Sequence, residues 1–272
     1  MKCLKALAET GTQSVVFLGA GSVGKGTLAK LLSLVLQERR PKILTVSEVI
    51  RHHSSQDTPL GERIRANIAR LRKQEGVVTS NLDDAPICEA IDQEILSALE
   101  SGHRLMLLDG FLRTEGQMKR FMSCPNLLVV LLVAGLEESL ERASRRREEA
   151  AQRSQTVRED DKPEAVRRRF RVFERDTLPG FRTLKKVRPA ATMEIDATRT
   201  PREKAIRVLR NLYPSGRVPS ELVSCFDNPS SPVARFVTEI EGGSRPLRNH
   251  LHMIGFANYL PTNWGHAAPA GA

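Results

Sequence analysis

The chain of 272 residues is 40% hydrophobic and 27% charged, a balance that fits a globular protein with one large domain or two small ones. Its longest apolar run, at 127–134, falls short of the ~20 residues that cross a bilayer, and the N-terminal stretch carries Glu9 and no apolar block of the secretory kind. The net charge of +10 comes from 31 arginines against 11 lysines, yet aromatics are only 4%, so stacking platforms for single-stranded nucleic acid are scarce. Composition alone does not choose between a polymer of phosphates and a nucleotide. Cys3, Cys88, Cys124 and Cys225 lie far apart with no C-x-x-C, so reduced thiols in a cytoplasm are expected rather than a disulfide frame or zinc knuckle. The histidines, including the adjoining His52 and His53, are expected in solvated loops.

A short leader at 1–13 precedes the first β-rich run. Five such runs occupy 14–18, 42–46, 104–108, 127–133 and 192–195, nearly continuous in apolar residues instead of alternating, as in a parallel sheet covered on both faces. After the first, Leu28, Leu31, Leu32 and Val35 line one face of a helix that Pro41 bars from continuing. After the second, Ile87, Ile91, Ile95 and Leu99 line another, with Pro86 in its first turn and Gly102 past its end. This alternation predicts a doubly wound α/β domain. Beyond Leu212 the composition turns to Pro, Ser, Asn and Gly as far as Ala272, so disorder or a loosely docked tail is expected, with one amphipathic piece at 250–260.

The first strand leads straight into Gly19-Ala20-Gly21-Ser22-Val23-Gly24-Lys25-Gly26-Thr27 and then a helix. Glycines let a backbone wrap an anion with its N–H groups inward, a helix N-terminus adds partial positive charge, and Lys25 can reach outer phosphates. The strict GxxxxGK[ST] pattern is not met, because Gly26 follows Lys25 and the hydroxyl usual for Mg²⁺ is displaced to Thr27. The third strand runs into Asp109-Gly110-Phe111-Leu112-Arg113-Thr114, with Gln117 three residues on. Ligands of open α/β sheets bind beyond the carboxyl ends of the strands, so Asp109 and Arg113 are expected to face the phosphate loop, the carboxylate near hydrated Mg²⁺. Arg142 and Arg146 share a helix face, and Arg158-Glu159-Asp160-Asp161 and then Arg169 follow. Most arginines at 145–147 and 167–169 read as a solvated face, but so dense a group repels itself unless an anion collects some of it.

Together these segments resemble the nucleoside monophosphate kinases of the adenylate kinase type. GAGSVGKGT is similar to that family's GxPGxGKGT, 109–117 to its DGFPRTxxQ, Arg142 and Arg146 to its paired helix arginines, and Arg158 with Arg169 to its RxDD and following Arg. KILTVSEVIR resembles ISTGDxxR and leaves Arg51 at the phosphate-binding place. Residues 75–79 resemble GxLVT, and Ile195-Asp196-Ala197-Thr198 the last strand and adenine-side loop. The resemblance covers 14–213 and implies a P-loop NTPase-type fold, a doubly wound parallel five-stranded sheet flanked by helices. It implies a monophosphate-binding lobe at about 43–80, a short zinc-free lid at about 146–158, and an extension at 214–272 without a counterpart.

The activity implied is reversible transfer of the ATP γ-phosphoryl group to AMP, giving two ADP, in a cytoplasmic monomer with no membrane or nucleic-acid partner. On the donor side the resemblance implies Ser22, Val23, Gly24, Lys25, Gly26, Thr27, Arg142, Arg146 and Arg199. On the acceptor side it implies Val46, Arg51, Val78, Gly110, Arg113, Gln117, Arg158 and Arg169. Lys25, Asp109, Arg113, Arg146, Arg158 and Arg169 would act at the transferring group, and Mg²⁺ would be held through phosphates and water near Asp109. Three departures stand out. Leu112 replaces the family Pro, so its loop is either trans or carries ~3 kcal/mol of strain. Val46 replaces a base-reading Thr, and Ser47-Glu48 replaces Gly-Asp. A UMP/CMP kinase shares nearly all these residues, and a non-catalytic kinase-fold protein binding nucleotide or RNA is the other alternative.

Overall fold

The computed structural model describes residues 2–73, 84–121, 124–152, 154, 159–213 and 216–242. All five apolar runs are strands: β1 (Gln13–Leu18), β2 (Pro41–Thr45), β3 (Leu105–Asp109), β4 (Leu127–Val133) and β5 (Thr192–Asp196). They form one parallel sheet in the order β2-β3-β1-β4-β5. Parallel neighbours need crossovers, and helices supply them. The described helices are α1 (Lys2–Glu9), before the first strand, then α2 (Lys25–Val35), α3 (Val46–Ser54), α4 (Pro59–Lys73), α5 (Asp84–Glu100), α6 (Glu115–Phe121), α7 (Leu136–Gln152), α8 (Pro163–Val172) and α9 (Leu178–Val187) between strands, and α10 (Pro201–Leu212), α11 (Ser220–Ser224) and α12 (Pro232–Gly242) after the last. The doubly wound five-stranded sheet expected from the sequence is the fold of this chain.

Successive strand side chains point to opposite faces, so each strand feeds two cores. Val16, Leu18, Met106, Leu108, Val129 and Leu131 pack on one face with residues of α1, α3, α4, α5, α6 and α9. Val15, Phe17, Leu105, Leu107, Val130 and Leu132 pack on the other with α2, α10 and α12. Each fully buried Leu or Phe contributes about 1.5–3 kcal/mol. In register, Phe17 and Thr45 both lie level with Asp109, so three neighbouring strands finish at one height. The second strand stops one residue early because Thr45 caps α3, its hydroxyl accepting from the Glu48 N–H at 3.2 Å. Val46 therefore opens a helix.

Segments before the first strand and after α10 join these cores. The expected leader is the helix α1, which buries Cys3 and Leu7 and whose first two N–H groups donate to the Asp92 carboxylate of α5 at 3.2 and 3.4 Å. After α10, 216–242 is docked rather than loose. Phe226, Val233 and Ala234 are buried, and Arg202 of α10 pairs with Asp227 at 2.8 Å. The Lys30 ammonium of α2 lies 4.8 Å from the Phe236 ring centre. A docked helix needs an apolar residue only at every third or fourth position, which average composition does not register. The amphipathic piece at 250–260 lies outside the described residues, as does 75–79.

His53 also departs from expectation: it is buried on α3, its Nε2 3.2 Å from the Glu94 carboxylate of α5. The four cysteines are free thiols. Among the described residues no helix is long and apolar enough to cross a membrane.

Candidate active site

A cleft of about 1060 Å³ opens at the carboxyl ends of the strands, its floor made by the loop 19–27. Two backbone positions shape that loop. Gly19 has φ +141°, and a Cβ there would lie 2.6 Å from the Leu132 carbonyl oxygen. Gly24, at φ +91°, is the N-cap of α2. Lys25 Nζ donates to the carbonyls of Gly19 and Ala20 at 3.0 and 2.7 Å, which ties the loop around the ammonium. Burial pushes that ammonium down to about 8; Asp109 opposes the shift, while Arg113, Arg169 and Arg146 add to it. Arg113 too is pushed below its ordinary value, by burial and then by Arg169. Positive charge is thus packed here beyond what Asp109 balances.

Two helices lay arginines over the loop. On α7, Arg142 donates to the carbonyls of Ala197 and Val23 at 2.7 and 3.3 Å and pairs with Glu138 at 2.5 Å. One turn on, Arg146 donates to Ser22 Oγ at 2.6 Å and pairs with the buried carboxylate of Asp161. On α8, Arg169 pairs with Asp160 at 3.2 Å and lies 3.7 Å from where a Cβ of Gly21 would stand.

The loop after β3 faces this group. Gly110 has φ +81°, a left-handed backbone that favours glycine, and a Cβ there would lie 2.6 Å from Arg113 Nη2, so the guanidinium would have to shift. Arg113 Nε donates to the Gly110 carbonyl at 2.7 Å, and the Arg113 carbonyl accepts from Thr177 Oγ1 at 2.8 Å. Thr177 ends a π-helical turn, Phe173–Thr177, of the kind often found at functional sites. The described chain has no cis peptide, and Leu112 instead sits at φ +55° with its side chain buried. Left-handed Leu costs about 1–2 kcal/mol, less than the cis alternative.

Of the residues singled out from the sequence, Ser22 to Thr27, Arg51, Asp109, Gly110, Arg113, Arg142, Arg146, Arg169 and Arg199 line the one cleft. Val46 does not: it is buried in the first core. Gln117 does not line it either; its Oε1 accepts from the Arg113 N–H at 2.8 Å. Arg158 and Val78 lie outside the described residues. The cleft also takes in residues the sequence reading passed over: Thr45, Ser47 and Glu48 at the start of α3, Thr177, Lys204, and Ile240 with Glu241 of α12. Thr45-x-x-Glu48 was legible as a helix start. The π turn had no sequence signal. Lys204 is buried on α10, donates to the Ala197 carbonyl at 3.0 Å, and is pushed down to about 8 by burial and by Arg142.

The donor set suits a divalent cation only in one way. Asp109 Oδ2 lies 3.7 Å from where a Cβ of Gly26 would stand, beside the start of α2, and among the described residues no three His, Cys, Asp or Glu gather. One carboxylate fits a Mg²⁺ that arrives on phosphates and keeps its water.

No protein-family model matches the chain. Curated relatives do. The chain is 36% identical to the adenylate kinase of Thermus thermophilus over 172 residues, covering 61% of this chain and 80% of that one. It is 28% identical to that of Deinococcus deserti over 188 residues, 64% and 84% of the two chains. With Chloroherpeton thalassium adenylate kinase it shares 27% identity over 214 residues, 68% and 91%. A parallel sheet in this order, a glycine loop under convergent arginines, and matches of this length have one reading: the chain belongs to the adenylate kinase family, the ATP-dependent nucleoside monophosphate kinases.

Proposed function

We propose that this protein transfers the γ-phosphoryl group of ATP, carried with Mg²⁺, to AMP and yields two ADP. The observation that carries the reading is the gathering of Arg113, Arg146 and Arg169, with Asp109, around Lys25 in one cleft. Cations so placed destabilise one another, and a ligand bearing several negative charges relieves them. Phosphoryl transfer asks for this arrangement, since it depends on positioning and charge neutralisation rather than covalent help.

In this reading the amides of 19–27 and Lys25 hold the donor phosphates, with Arg142 and Arg199 on the nucleoside side. Arg51 and Arg113 hold the acceptor phosphate. Arg146, Arg158 and Arg169 gather about the moving group. Their carboxylate partners, Asp161 for Arg146 and Asp160 for Arg169, keep those arginines oriented until phosphate replaces them. Bound Mg²⁺ supplies neutralisation of charge building on the phosphates, and Asp109 holds its water. Movement of a lobe at about 43–80 and a lid at about 146–158 over the substrates would exclude water and so prevent hydrolysis. In this reading the enzyme works as a monomer in the cytoplasm, whose reducing conditions its free thiols suit.

AMP as acceptor rests on the family and on Gln117. Gln117 holds the Arg113 N–H through Oε1 and stands outside the cleft lining, so in this reading closure over the substrates brings its amide to the base, where an amide complements the adenine edge. The test is turnover of the full chain with AMP, GMP, CMP, UMP and dTMP in turn. AMP is expected to lead CMP and UMP in kcat/KM by at least ~10²-fold. Equal or better use of CMP or UMP would assign the enzyme to the pyrimidine kinases instead.

A further inference from the structure

The donor end of the cleft contains something the resemblance does not account for. Ile240 and Glu241, in the last turn of α12, line the same cleft as Thr198, Arg199 and Thr200, which lead into α10. The helices α10 and α12 pack together in the second core, on the sheet face opposite α3. This helix belongs to the extension for which the family pattern has no place.

Its seat is built rather than incidental. Ser231 starts it, the hydroxyl oxygen accepting from the Ala234 N–H at 2.9 Å while its own proton goes to the Cys225 carbonyl, and Pro232 follows in the first turn. Val233 is buried in the second core, and Phe236 and Val237 pack against that core. The contact of Phe236 with Lys30 fixes α12 along α2, the helix that begins at the phosphate loop. Val233, Val237, Ile240 and Glu241 follow at i, i+4, i+7 and i+8, so one stripe runs from the core to the cleft. Ile240 is half-buried and Glu241 exposed at its end. A further carboxylate that faced the phosphates would weaken binding of a triphosphate. On the α10 side of the cleft it would instead meet the nucleoside, whose N–H and O–H groups a carboxylate accepts.

We propose that α12 is a wall of the donor-nucleoside subsite, with Ile240 covering the base and Glu241 accepting from the nucleoside. The inference rests on the reading of this end of the cleft as the ATP site.

Calorimetric binding of ATP and, separately, of AMP to the full chain tests it without needing turnover. Ile240→Ala and Glu241→Ala are each expected to weaken ATP binding by about 3- to 10-fold, with AMP binding and Tm unchanged. Glu239→Ala, exposed on the same helix and absent from the cleft lining, should change neither. If the unaltered chain binds ATP and both cleft-side variants bind it equally well, α12 is only packing and the inference falls. A parallel loss of ATP affinity, AMP affinity and Tm would also overturn it, since that is general loosening. Failure of the unaltered chain to bind ATP would instead remove the kinase reading, and this inference with it.

Discussion

The phosphate end of the cleft and two helices outside the sheet's own crossovers, α1 and α12, are built on different logic. At the phosphate end, side chains cost stability: Lys25 and Arg113 are driven below their ordinary values by burial and by neighbouring arginines. By contrast, α1 and α12 place Leu7 and Val233 in the cores, where burial is their contribution. A site that collects like charges depends on a scaffold able to bear the cost, and here α1 and α12 help bear it. Substitutions should therefore separate cleanly into those that change turnover and those that change stability.

Lys25→Met makes the sharpest cut. Removing the ammonium aimed at the transferring group should lower kcat by at least ~10²-fold, while Tm holds or rises because a buried cation among arginines is gone. Leu7→Ala should do the converse, costing about 2–5 kcal/mol in denaturant unfolding with kcat changed little. Wild-type stability in Leu7→Ala would mean that α1 adds nothing to the core, and the contrast between the regions would fail.

The effect of pH should be next in size. Lys25 is held at about 8 in the unliganded protein, against about 10.4 for a free lysine. Between these values the empty site has given up its proton, and an arriving triphosphate restores it. ATP affinity should hence be flat in this respect below pH 8 and fall by up to ~10-fold per unit above it. Calorimetry at pH 9 in buffers of different ionisation enthalpy would register proton uptake on binding, reduced in Lys25→Met to what Lys204 contributes. The smallest effect is expected at Gln117. If its bond to the Arg113 N–H matters as much as base reading, Gln117→Ala should lower kcat/KM for every acceptor by a few-fold, beyond a larger loss for AMP. A loss confined to AMP would leave the loop contact without consequence.

How much of this was legible in the sequence follows the same divide. Strands with continuous apolar runs, the glycine loop and Asp109–Arg113 depend on short-range spacing, which a sequence displays directly. Arg142 and Arg146 were visible as a pair because four residues make one helical turn. By contrast, the docking of α12 depends on a surface formed by α2 and α10, distant in the chain, and its few apolar residues were diluted among Pro, Ser and Asn. Leu112 shows a third case. Its departure from the family Pro could be seen, but whether the loop would answer with a cis bond or a left-handed residue was a matter for its neighbours, Thr177 and Gln117 among them.

The central claim is that the cation cluster serves transfer between nucleotides rather than mere binding or hydrolysis. Phosphorus NMR of the full chain with equal ATP, AMP and Mg²⁺ reads this directly. ATP and AMP should decline in step, ADP should appear at twice that rate, and inorganic phosphate should stay at background. Steady release of inorganic phosphate, or nucleotide that binds and remains unchanged, would contradict the account.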